Sequence, residues 1–442
     1  MKILLFISIF CLFSNLLNGC QYKNEINTTT LINLTHLEYL CQDISIDDRS
    51  MTIVRIYSEY PDYHYVGDED EGIACVDDAA RAAIFYIKLY KDRQNQWFLT
   101  KIRKLLEFLK YMQAENGLFY NFIHEDHSIN KTHQNSIPSA GWWSWRAIWA
   151  FSEAYSVFQE IDTVYANDFL KRIEYTFPAI DSILQKYPKT VHLEGLNLPS
   201  WLPYQTAADQ AAVMMISLAT YYRNTKSERV RQYLNELSEG IVTMQFGDSL
   251  HFPFGCLLSW QNGWHAYGNV QAYALLLYGN TNPPSMFNGN ALSEIKHFYP
   301  YLIQKGYLTY FKITSAGGQY KILQEEQFPQ ISYGIRPMVW ASLKAYDVTG
   351  RIEYAKQAGE VAAWLLGKNA AGVIIYDPET GRCFDGLLNE YDVNKNAGAE
   401  STIEALVTIQ AVEQNPIARQ ILWDYYKSKS KLNVMNTEKV SH

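Results

Sequence analysis

The chain has 442 residues, 48% of them hydrophobic and 19% charged, with six scattered cysteines, so disorder, collagen-like repeats and disulfide-stapled mini-folds are excluded. Its net charge is −8 with no basic cluster, which removes the electrostatic footprint of a nucleic-acid binder. Aromatics make up 14%, including 33 Tyr and 11 Trp, and such flat amphipathic rings suit sugar stacking as well as core packing.

At the amino terminus, Lys2 precedes an apolar run from Ile3 to Phe13 and then Leu17-Asn18-Gly19-Cys20. This is the pattern of an export signal, too short to span a bilayer. The Leu-x-Gly-Cys ending resembles a bacterial lipobox, which implies a signal peptide over residues 1–19, lipidation of Cys20 and a chain tethered to the cell envelope. Residues 20–49 read as a tether and N-terminal extension, 50–430 as the folded domain and 431–442 as a disordered tail. Cys41, Cys75, Cys256 and Cys383 stand far apart, and spacing assigns them no pairing. The histidines of His124-Glu125-Asp126-His127 are three apart in a polar stretch, so no metal site is expected, and no cofactor.

From residue 76 on, helical segments recur in pairs, an alanine-rich member followed by a more charged one. The first members begin near Asp77, Trp142, Thr206, Ala266, Ile335 and Ala399, at separations of 65, 64, 60, 69 and 64 residues. Stretches such as AARAAI (79–84) and AADQAAVMMISLA (207–219) are apolar nearly all round, as buried helices are. The second members, near 97–113, 163–186, 228–245, 351–366 and 416–429, carry one apolar stripe. Closing six such hairpins into a ring buries every apolar face, so the expected fold is all-α, an (α/α)6 toroid. All inner helices then run parallel, and the long loops entering them gather on one face. Those loops hold Trp142, Trp143, Trp201, Trp264, His265, Tyr333 and Asp385, and they describe a binding mouth over positive helix ends.

The segments VDDAARA (76–82), ENGLFYNF (115–122), SWRAIWAF (144–151) and NAGAESTIEAL (396–406) resemble blocks of bacterial six-hairpin toroid domains related to six-hairpin glycosidases. The resemblance spans about residues 50–415 and implies a carbohydrate-active lipoprotein. The chain departs from that pattern at Ala79, where Asn is usual, and at Trp145, where Gly is usual.

Glycosidic cleavage needs a carboxylic acid to protonate the leaving oxygen and a carboxylate to activate water or attack the sugar. Asp77 and Asp78 open the first inner helix and Glu400 the sixth, which are neighbours once the ring closes. They form the expected catalytic set, with Glu400 as acid, its pKa raised by an aromatic pocket, and an aspartate as base. Expected substrate contacts are Trp142, Trp143, Arg146, Trp201, Asp209, Trp264, His265, Tyr333 and Arg336. Ser401-x-x-Glu404 matches a capping box and Thr206-x-x-Asp209 a weaker one, giving Glu404 a structural reading. Three functions compete: a glycoside hydrolase, a polysaccharide lyase using His265, Tyr267 and Arg336 on a uronate, and a non-catalytic glycan-binding lipoprotein.

Overall fold

The chain enters its packed region through a short helix, Thr35–Leu40 (α1), and a hairpin pairing Cys41–Ile46 with Arg49–Val54. Leu37, Leu40, Met51, Ile53 and Val54 are fully buried. The compact unit therefore begins at Ile32, and the expected tether over 20–49 is corrected: burial of these side chains makes its second half part of the domain. The computed structural model describes residues 30–280 and 287–440, with side chains as far as 429, so the signal segment and Cys20 lie outside the described residues.

Six helix pairs follow. Val76–Arg93 (α2) leads into Gln96–Tyr111 (α3), and Trp142–Phe158 (α4) into Thr163–Glu174 (α5) and Phe177–Leu184 (α6). Ala208–Thr225 (α7) leads into Glu228–Thr243 (α8). Gln271–Gly279 (α9) is followed by Asn288–Ser293 (α10) and Tyr299–Gln304 (α11), joined by a π turn over Glu294–Phe298. Ser332–Thr349 (α12) pairs with Ile352–Ala362 (α13), and Ala399–Glu413 (α14) with Pro416–Val440 (α15). The last helix continues through most of the stretch expected to be a disordered tail.

Small side chains decide which helices go inside. Ala79, Ala80, Ala82 and Ala83 of α2 and Ala208, Ala211 and Ala212 of α7 are wholly buried, which lets neighbouring backbones approach closely. The inner helices touch in the order α2, α4, α7, α9, α12, α14 and back to α2, closing the ring. The outer helices keep one wet face and carry ordinary caps: Asn95, Asp162 and Ser227 accept from the first-turn N–H groups of α3, α5 and α8. The fold is thus the (α/α)6 toroid that the repeat predicts, and no described helix is long and apolar enough to cross a membrane.

Strands decorate this frame without forming a layer. They sit in the connections as small hairpins, the largest joining Gly263–His265, Tyr310–Ala316 and Gln319–Glu326. The mouth loops supply backbone caps to the inner helices: Asn121 O accepts from Val76 N–H at 2.8 Å, Ser259 O from Ala208 N–H at 2.8 Å and Ile56 O from Ala399 N–H at 3.0 Å. Each loop is pinned to a helix end of another repeat, which fixes the mouth largely through the backbone. Cys41, Cys75, Cys256 and Cys383 are free thiols.

Candidate active site

At the seam where α14 meets α2, the first turns of both helices face a cavity of about 310 Å³ lined by Tyr57, Asp77, Asp78, Arg81, Asp385 and Glu400, among others. That volume falls in the range of small-ligand pockets. Arg81, one turn into α2, is buried beneath it. Its Nη1 donates to Asp78 Oδ1 and its Nη2 to Glu400 Oε2, both at 2.8 Å, while Glu404 Oε1 lies 3.1 Å from Nε and Asp77 Oδ2 lies 3.7 Å from Nη2. One guanidinium thus gathers four carboxylates. Two more arginines complete the layer: Arg146 donates to Asp77 and to the Tyr333 hydroxyl, and Arg336 donates to Glu404. Three cations against four anions leave the cluster one charge negative if all are ionised.

Each carboxylate has its own surroundings. Asp78 is buried, with its Oδ2 accepting from the Cys75 thiol at 3.3 Å; burial pushes its pKa up, Arg81 opposes and Asp77 reinforces the rise. The Cys75 sulfur in turn accepts from Asp78 N–H at 3.4 Å and so caps α2, and burial, helped by Asp78, keeps the thiol protonated. Glu400 has a side chain 44% exposed at the base of the concavity. Desolvation raises its pKa, Arg81 lowers it, and Asp78 and Glu404 add to the rise. Asp77 keeps one oxygen on Arg146 while its Oδ1 is buried with no partner. Asp385 accepts from Gly398 N–H at 2.9 Å and from the Ser401 hydroxyl, and burial raises its pKa against those two bonds.

The expected catalytic set Asp77, Asp78 and Glu400 therefore shares one pocket, together with Asp385 of the mouth loops and Arg81. Asp385 is visible in the sequence only as one polar residue of a long loop, and no spacing links it to Glu400. Glu404 departs from the capping-box reading. The N-cap of α14 is Gly398, without a side-chain cap, and Glu404 faces inward as the shared partner of Arg81 and Arg336. Asp209, in the first turn of α7, accepts from the Gln210 N–H through Oδ1 at 2.6 Å, and its Oδ2 meets His265 Nε2 at 2.8 Å.

The expected substrate contacts divide. Trp142 is half-buried at the mouth, under the Arg146 guanidinium at 5.1 Å. Trp143 is anchored, its indole N–H donating to Phe119 O at 2.6 Å. Trp201 and Trp264, each 3% exposed, are corrected to packing residues: Trp201 donates to Glu236 O on α8 at 2.9 Å, and Trp264 stacks on Phe311 at 5.3 Å. Neither lines the pocket around Arg81. Tyr333 is buried, with Arg81, Arg146 and Arg336 around its ring at 4.7, 5.1 and 5.3 Å, and serves as the aromatic floor of the arginine layer. Arg146 and Arg336 are already paired, so neither is a vacant clamp for a uronate. His265 has Asp209 at one ring nitrogen and Tyr267 O at the other, 2.8 Å each, beneath the stacked Tyr267 ring at 3.8 Å; both nitrogens face acceptors. Among the described residues no group of three His, Cys, Asp or Glu is arranged to hold a metal ion.

No family model and no curated protein matches the sequence. Among solved structures the chain is similar to cellobiose 2-epimerase from Bacillus thermoamylovorans, with a TM-score of 0.61 and 12% identity over 88% of this chain and 97% of that one. It is also similar to a sugar epimerase from a ruminal bacterium, TM-score 0.55 and 12% identity over 82% and 92%, and to a D-mannose isomerase, TM-score 0.55 and 14% identity over 82% and 91%. The likeness runs nearly end to end and establishes the class: this is a six-hairpin (α/α)6 toroid.

Proposed function

We propose that the protein is a carbohydrate-active enzyme, specifically a glycoside hydrolase, working at the pocket around Arg81. The observation that carries this reading is the single guanidinium holding Asp78 and Glu400 on its two terminal nitrogens, with Asp77 lining the same pocket. Glu400, exposed to the cavity and held above the usual carboxylate range, donates its proton to the glycosidic oxygen as the bond to the anomeric carbon breaks. Asp77 accepts a proton from the water whose oxygen bonds to that carbon. Asp78 and Arg81 position the pair. The toroid fold shared with sugar epimerases and an isomerase supports a sugar substrate. The acidic lining weighs against a uronate, and with it against the lyase reading. The Leu-x-Gly-Cys segment supports anchoring of the enzyme to an envelope membrane through lipid on Cys20.

A second reading, a sugar epimerase or isomerase, is favoured by the TM-score of 0.61 over nearly the whole chain. Against it, the pocket is lined by carboxylates and not by imidazoles, and His265 has no free nitrogen with which to remove a proton from carbon. A panel of oligosaccharides and polysaccharides in D2O separates the two. New reducing ends, reduced at least about a hundredfold by Glu400→Gln and by Asp77→Asn, support the hydrolase. Deuterium entering carbon 2 without chain cleavage overturns it in favour of the epimerase, and saturable binding without either product overturns both in favour of a binding protein.

A further inference from the structure

The far end of the ring holds a second cavity, of about 200 Å³, lined by Lys88, Tyr273, Trp340, Lys344, Asp347 and Gln414, among others. It lies where the inner helices end, opposite the mouth: Lys88 is in the last turns of α2, Lys344 and Asp347 in those of α12, and Gln414 follows α14. Its charges are unevenly matched. Lys88 Nζ sits 5.1 Å over the Trp340 ring and, among the described residues, has no carboxylate at ion-pair distance. Arg223 of α7, close enough to act electrostatically on Lys344 and on Tyr273, donates to Thr220 Oγ1 at 3.3 Å and likewise has no carboxylate partner. Lys344 reaches Asp347 only at 4.0 Å. The nearby acids are committed elsewhere, Glu153 to Lys91 at 3.0 Å and Asp92 to Gln414 at 2.7 Å.

We propose that this cavity binds a small oxyanion, a carboxylate or a phosphate group, between Lys88 and Lys344, with Arg223 adding to the field. The competing explanation is that these cations merely complement the negative ends of α2, α7 and α12. Were that compensation complete, burial would be offset. Instead Lys88 has no carboxylate at ion-pair distance among the described residues, Lys344 meets Asp347 only at 4.0 Å, and desolvation lowers the pKa of both against the partial offset of Glu153 and Asp347, so their burial is only partly compensated. The indole of Trp340 is already enclosed by Lys88, by Arg336 at 4.8 Å and by Tyr273 at 5.2 Å, which leaves no face for stacking a sugar ring. What the walls accommodate is charge in a small volume, and a tetrahedral or planar oxyanion supplies it.

Calorimetric titration of the purified chain with inorganic phosphate and, separately, with acetate, at ionic strength fixed by chloride, tests this. Saturable binding is expected, weakened at least about tenfold by Lys88→Met and by Lys344→Met, the scale for losing a charge-assisted contact, and unchanged by Glu400→Gln at the mouth. Binding of phosphate alone identifies a phosphate ester as the natural ligand, and binding of acetate a carboxylate. Unaltered thermal midpoints of the variants guard against misfolding, and Arg223→Gln provides a further variant should either lysine prove necessary for folding. Absence of saturable binding of both anions, or binding that survives both lysine substitutions in folded protein, overturns the proposal.

Discussion

Arg81 of α2 and Glu400 of α14 stand 319 residues apart and meet at 2.8 Å. Their contact closes the ring electrostatically, because the same guanidinium also holds Asp78 and faces Glu404 in the next turn of α14. Removing it strands Asp78 and Glu400, which pair with no other cation among the described residues, while Glu404 keeps Arg336 and Asp77 keeps Arg146. Arg81→Met should cost about 3–5 kcal/mol, the scale for breaking a buried ion pair from one side, read as a lowered urea midpoint. Arg81→Lys keeps the charge but not the fork that serves two carboxylates at once. It should fold and yet lose about a hundredfold in glycan turnover through misplacement of Glu400. Wild-type turnover in the lysine variant would show that charge alone suffices.

Glu400 must carry a proton to act as the acid, and desolvation at the pocket, reinforced by the charges of Asp78 and Glu404 against Arg81, holds that proton to higher pH than water alone would. Activity is therefore expected to fall on the alkaline side, as pH rises through a folded-state pKa above the ordinary 4.5. Asp78→Asn removes one of the negative neighbours that raise this pKa, so the alkaline limb should move to lower pH. A limb that stays in place in this variant, measured on kcat, would remove Glu400 from the acid role.

The thiol of Cys75 both caps α2 and donates to Asp78. Cys75→Ser preserves a donor and an acceptor at nearly the same place. Cys75→Ala removes both and should cost about 1 kcal/mol, as a lost N-cap does, besides freeing Asp78 Oδ2. The comparison is made by thermal melting and by the pH profile together, with the alanine variant alone expected to shift both. Equal behaviour of the two variants would reduce Cys75 to packing.

The repeat was legible because it is written in two chemistries. Runs such as Ala79–Ala83 tolerate only close burial, whereas the stripe of Leu105, Leu106 and Leu109 on α3 needs one wet face, and alternation of the two at a near-constant interval specifies the ring. The hairpin over 310–326 carries its signal in Gly317-Gly318, both at positive φ, 60° and 78°, yet helical period alone does not announce it. Parts of the site were legible as helix beginnings, since Asp77, Asp78 and Glu400 open their helices. The role of Glu404 was hidden because Ser-x-x-Glu satisfies a local capping rule that the tertiary charge of Arg81 and Arg336 overrides. Trp201 and Trp264 depart from expectation for the opposite reason: a loop tryptophan reads as exposed until it packs, Trp201 through its indole N–H on α8 and Trp264 through its ring on Phe311.

Glu294, in the π turn between α10 and α11, sits wholly buried with one oxygen accepting from Leu257 N–H at 2.9 Å and the other unpartnered. Burial lifts its pKa from 4.5 to about 8, the single backbone bond opposing weakly. Below pH 4.5 the carboxyl is protonated in both folded and unfolded chains, and its contribution to stability is whole. Between 4.5 and about 8 the unfolded chain releases the proton while the folded one keeps it, so stability falls as pH rises through this window and levels off above it. The raised carboxyls of Asp78, Asp385 and Glu400 act in the same direction, so the difference between wild type and Glu294→Gln isolates this residue. Glutamine retains the acceptor for Leu257 and cannot ionise. Its urea midpoint should lose less than that of wild type across pH 5 to 8, with the gap widening steadily toward pH 8. Parallel midpoint curves for the two proteins would mean that Glu294 already ionises at an ordinary pH, through water reaching the π turn.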